Sequence, residues 1–161
     1  MSLKRIVNAS PLILLSKVDH LDLLQVEADE LIVPDKVIDE IRAYGGTDST
    51  VQKVQKAAWL KVVPTTTIPA TIASWNLGDG ESSVLAFAVG EVDVEVVLDD
   101  LQARRRAAGL GLTVRGTVGI VLLARQNSVI PAARPVIENL RRSGMYLTDE
   151  FARRMLALVG E

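Results

Sequence analysis

Cysteine is absent from this 161-residue chain, which excludes a disulfide framework and a thiolate metal site. Histidine occurs once, at His20, which rules out a multi-histidine zinc centre; a Ser-His pair would rest on that one residue, which reads as interhelical surface and not as a ligand. Any metal would be a hard cation held by oxygen, magnesium or manganese. Lysine is missing after Lys61. No apolar run is long enough to span a bilayer, and no charged-then-apolar leader opens the sequence. The expectation is a cytoplasmic protein without membrane contact.

The balance of 48% hydrophobic and 24% charged residues is that of an ordinary globular domain with a sizeable core. The net charge of −2 conceals an asymmetry. Residues 1–103 hold 8 Lys+Arg against 16 Asp+Glu, whereas residues 104–161 hold 10 Arg against 4 acids. Arginine grips phosphate in a bidentate manner. An acidic site beside an arginine-rich half suits a nucleic acid cut with metal help, although the same arginines also serve as helix surface.

Hydrophobic patterning alternates strands with helices. Arg5–Val7, Glu30–Val33, Trp59–Val63, Val94–Leu98 and Leu112–Val114 read as short strands. Helices are expected over Leu12–Val18, Leu21–Leu24, from Pro34-Asp35 to Tyr44, and over Thr47–Ala58 with Lys53 and Lys56 exposed. Further helices are expected over Ser82–Val89, Leu101–Ala108, Ile120–Arg125, Pro135–Arg142 and Asp149–Val159. Ser10 before Pro11, Thr117 and Thr148 are candidate caps, and Gly45-Gly46 and Gly109 are helix stops. This alternation implies an α/β fold with a parallel sheet covered on both faces.

In such a sheet, ligands collect beyond the carboxyl ends of the strands. Asn8 follows the first strand, and Asp99-Asp100 follow the fourth. Either aspartate would also cap the next helix. Glu40 falls among Val37, Ile41 and Tyr44 on one helical face, where an unpaired carboxylate costs free energy. Glu81 begins the buried face carried on by Val84, Leu85 and Ala88, in a first turn that favours an anion. The amides of Gly116-Thr117-Val118-Gly119 are placed to receive a phosphate or to make a tight strand-to-helix turn.

Taken in order, several of these stretches resemble a known family. They are Ile6-Val7-Asn8-Ala9-Ser10-Pro11-Leu12-Ile13, Val33-Pro34 through Glu40-Ile41, Leu77-Gly78-Asp79-Gly80-Glu81, Leu98-Asp99-Asp100-Leu101-Gln102-Ala103-Arg104, and Gly116-Thr117-Val118-Gly119. The series resembles PIN domains, closest to a bacterial and archaeal subgroup of predicted nucleic-acid-binding proteins, and extends over residues 4–159. The resemblance implies one three-layer α/β/α sandwich with a five-stranded parallel sheet of order 3-2-1-4-5. It implies a Mg2+- or Mn2+-dependent ribonuclease acting on single-stranded RNA.

By the same resemblance the catalytic acids are Glu40, Glu81 and Asp100, with Asp99 a close second to Asp100. The metal would rest on Asn8, Glu81, Asp99 and Asp100. Ser10 and Thr117 support the site, and Arg104, with its neighbours Arg105 and Arg106, and Arg115 would contact RNA. PIN nucleases usually carry aspartate where this chain has Asn8, which removes one negative charge. A toxin role with a small antitoxin partner, and a homodimer or higher homo-oligomer, are implied as well. Two other readings stand beside it: a non-catalytic RNA- or protein-binding module on the same fold, and a phosphoacceptor receiver. The receiver needs an acidic pair after its first strand and a lysine late in the chain, and this sequence has neither.

Overall fold

The computed structural model of the chain describes residues 2–44 and 49–161. Its sheet has five parallel strands in the order β3-β2-β1-β4-β5, formed by β1 (Lys4–Val7), β2 (Glu30–Pro34), β3 (Leu60–Val63), β4 (Val94–Val97) and β5 (Thr113–Arg115). Ile6, Val7, Ile32, Val33, Val96 and Val97 are all buried, as a sheet covered on both faces requires. The strands are short, β-branched and joined through helices, so every crossover returns parallel.

On one face, α5 (Asp79–Ala88) packs over β1, β2 and β4, with α2 (Asp35–Tyr44) and the single turn α4 (Ala70–Ala73) against it. On the other, α1 (Ala9–Lys17) contacts a 3-10 helix at Leu21–Gln25, α7 (Thr117–Gln126) and α8 (Arg134–Arg142). The remaining helices are α3 (Thr50–Lys56), α6 (Leu101–Gly109) beside β5, and α9 (Asp149–Ala157) against α7. Asp19 adopts φ 58 where α1 ends, which separates it from the 3-10 helix as the Asp19-His20 interruption predicts. Among the described residues no helix is long and apolar enough to cross a membrane.

Several boundaries differ from the sequence expectation. The stop at Gly45-Gly46 and the start at Thr47 lie outside the described residues. Gly109 stops α6 as expected, being its last residue, whereas α4 has no counterpart in the sequence reading. Ser10 and Thr117 are not caps: Asn8 and Gly116 hold those positions, and both hydroxyls reach into the site instead. Lys53 is only partly exposed, because its amine donates to Ser16 O and Asp19. Tyr44 and Glu40 do not share the buried face of Val37 and Ile41: Tyr44 is 60% exposed, with Lys17 over its ring, and Glu40 is exposed too. Thr148 does cap α9, accepting from Phe151 N.

The sheet centre is pinned by a buried ionic contact invisible to strand-by-strand reading. Register sets Arg5 beside Glu95, and Arg5 Nε donates to Glu95 at 2.7 Å while Nη1 donates to Leu24 O and Val26 O. Arg115 reaches the other oxygen of Glu95 at 3.1 Å, which ties β5 to β4 and β1.

Candidate active site

Asn8 ends β1 and stands as the N-cap of α1, a position where asparagine ordinarily bonds the first free amides. Here its side chain makes no capping bond. Oδ1 is buried without any hydrogen-bond partner, and the residue is 3% exposed. Forgoing the cap and burying a lone acceptor costs roughly 1–3 kcal/mol.

The direction of that oxygen is fixed by Gly80, in the first turn of α5. A Cβ at Gly80 would collide with the Glu40 carboxylate and stand 3.0 Å from Asn8 Oδ1. The missing side chain thus leaves a cradle in which an amide oxygen and a carboxylate face one another. Gly78, at φ 101, opens the turn before it, and a Cβ there would lie 3.0 Å from Glu81 Oε2. The two glycines let α5 bring Glu81 alongside α2 and its Glu40.

Negative charge accumulates at this end of the sheet. Partial desolvation, and then the carboxylates of Glu81 and Asp79, hold the Glu40 pKa above its ordinary value, although the residue as a whole is exposed to solvent. Asp79 is an acid that spacing alone did not mark; the Gly78-Asp79-Gly80 turn is its only signal.

Asp99 is held from three directions. Ser10 Oγ donates to Oδ2 at 2.9 Å, Thr117 Oγ1 to the same oxygen at 2.7 Å, and Thr117 N to Oδ1 at 2.8 Å. The carboxylate therefore sits on the first turn of α7, where the free amide and helix dipole favour it. Asp100 turns away. It is exposed, its ψ of 127° is extended, and its carboxylate accepts from Ala103 N as the N-cap of α6. The resemblance favours Asp100 over Asp99; in the structure Asp99 lines the groove and Asp100 caps α6.

Asn8, Glu40, Glu81 and Asp99 open onto one groove of about 1330 Å³ that continues between α1, α7 and α9. Arg104 and Arg115 line it too. Both are already engaged, Arg104 with Leu98 O at 3.0 Å and Arg115 with Glu95, so they border the groove from fixed positions. Arg106 instead lies over the Trp75 ring at 4.7 Å.

Among the described residues no three acidic or histidine side chains are arranged to hold one metal ion by themselves. The donors present nonetheless suit a hard cation. An orphaned buried amide oxygen faces a carboxylate across a side-chain-free cradle, in a crowd of acids that raises a carboxyl pKa. Ligation would combine the asparagine oxygen with carboxylates and water.

The family model for the PIN domain matches residues 4–161 of the chain. No curated protein matches it.

Proposed function

Given that the chain belongs to the PIN-domain family, we propose that it is a metal-dependent ribonuclease cutting single-stranded RNA in the groove beyond β1 and β4. The observation that supports this most strongly is the unpartnered Asn8 Oδ1, buried and bordering the same Gly80 cradle as the Glu40 carboxylate. Two acceptors facing each other repel unless a cation or a proton lies between them.

Asn8, Glu81 and Asp99 would hold magnesium or manganese, with Glu40 at the edge of the set. Such an ion supplies a water of lowered pKa and stabilises charge developing on the phosphate. The protein's own work is positional. Ser10 and Thr117 fix the Asp99 carboxylate, and Gly80 keeps the cradle open. Glu40 keeps a proton at its carboxyl to higher pH than an ordinary glutamate, which suits it to orient water or pass a proton. Arg104 and Arg115 present positive charge to the phosphate backbone beside these acids.

Cleavage of labelled single-stranded RNA with manganese tests the reading. Glu81→Ala should abolish cutting while the circular dichroism spectrum stays unchanged; undiminished cutting would remove Glu81 from the mechanism. The resemblance also assigns a toxin role, with a small antitoxin protein as partner and self-association. Expression of the protein alone should then arrest growth, and unimpaired growth would count against that role.

A second reading has its own support. Asn8 replaces a charged ligand, and no three acids stand ready for an ion among the described residues. A non-catalytic RNA- or protein-binding module would hold RNA equally well with Glu81 replaced or the metal chelated.

A further inference from the structure

The chain has two tyrosines, and both are exposed on the walls of the same groove. Tyr44 is 60% exposed and Tyr146 is 88% exposed. An aromatic ring buries a large apolar area when it can, so two rings left in solvent on one groove need an account. Tyr44 lies one helical turn beyond Glu40, on the same side of α2. Tyr146 stands in the connector between α8 and α9, following Gly144, whose φ of 111 turns the chain toward the groove's far wall.

The groove lining includes apolar side chains, Leu14 of α1 and Val118 of α7 among them, as well as the cations Lys17, Arg104 and Arg115. Lys17 lies 5.1 Å over the Tyr44 ring and donates to its hydroxyl at 3.1 Å, and Arg104 and Arg115 line the same groove. Exposed aromatic rings and positive charge lining one groove complement a strand of unpaired bases on a phosphate backbone. An apolar protein helix would meet the rings but leave the cations and carboxylates unanswered.

We propose that Tyr44 and Tyr146 are stacking platforms for two unpaired nucleobases, so that this groove selects single-stranded RNA by its base faces. The inference deepens the ribonuclease reading and takes RNA as its ligand from it. Stacking on a side-chain ring depends on the ring and is indifferent to base identity, so the platforms restrict strandedness and not sequence. A base paired within a duplex has its faces covered by its neighbours and cannot use either ring.

The test is fluorescence anisotropy of the full chain with a labelled single-stranded RNA of about twelve nucleotides, long enough to cover a typical single-strand site, and with the same RNA as a duplex. EDTA is present, so no cleavage intervenes. The single strand should bind more tightly than the duplex. Tyr146→Ala and Tyr44→Ala should each weaken single-strand binding about ten-fold, within the range expected for one lost stack. Tyr146→Phe and Tyr44→Phe should keep it. Both tyrosines are exposed, so the alanine variants should retain the wild-type circular dichroism. Unchanged affinity in the alanine variants, equal affinity for duplex, or no RNA binding by wild type overturns the proposal. So does self-association that Tyr146→Ala abolishes with RNA affinity unchanged, which would make the groove a contact between copies. A parallel manganese assay separates the two claims: tyrosine-dependent binding without cleavage removes the ribonuclease reading alone, and cleavage with tyrosine-independent binding removes the platforms alone.

Discussion

Glu40 concentrates the electrostatics of the site in one side chain. Burial and its neighbours Glu81 and Asp79 raise its pKa above the ordinary 4.5. The folded protein thus binds that proton more tightly than the unfolded chain does. Its contribution to stability is fully present below the ordinary value and is lost as pH rises through the raised one. In EDTA at pH 7 the charged Glu40 is a liability, so Glu40→Gln should melt higher than wild type. The difference should vanish below about pH 4, where both side chains are neutral. A Glu40→Gln variant that melts lower at pH 7 would contradict the crowding argument. Their places on helices, within stretches that resemble the family, make Glu40 and Glu81 legible in the sequence. Asp99 and Asp100 are the exception, since both follow the same strand and both suit a helix start. Only the extended backbone at Asp100 and its bond to Ala103 N separate the cap from the site acid.

The strands hold together through a pairing that no single segment reveals. Arg5 and Glu95 are separated by 90 residues and meet because β1 and β4 pair in one particular register. Read alone, each is a charge in an apolar run. Glu95→Ala would leave Arg5 buried without its anion and should lower the unfolding free energy by roughly 3–5 kcal/mol in urea titration. Arg5→Met combined with Glu95→Leu should recover much of that loss, because an apolar pair of similar volume carries no desolvation cost. A double variant as unstable as the single would show that the pair contributes more than mutual compensation. Helix positions were legible from periodicity, and their ends were less so. Ser10 and Thr117 look like caps because hydroxyls at helix starts usually bond their own amides. Here Asp99 competes for them and wins, since a hydrogen bond to a charged acceptor is about twice as strong as a neutral one.

The strand order and the gathering of Asn8, Glu40, Glu81 and Asp99 at one edge follow from a topology that the family resemblance supplied and local patterning could not. Alternating elements imply a parallel sheet but leave its order open. The apolar arm of the groove was not legible at all. It joins α1 to the connector after α8, more than a hundred residues away, and that connector carries no recognisable motif. What unites the molecule is its open Asn8 end, where one amide stands in for a carboxylate and the surrounding acids remain under-neutralised. Cleavage rate against manganese concentration, for wild type and Asn8→Asp side by side, tests this most directly. A metal-dependent ribonuclease predicts cutting by wild type that EDTA stops, and half-saturation of Asn8→Asp at lower manganese because a full charge has been restored. Cutting that ignores EDTA, or an absence of cutting in both proteins at any manganese concentration, would contradict it.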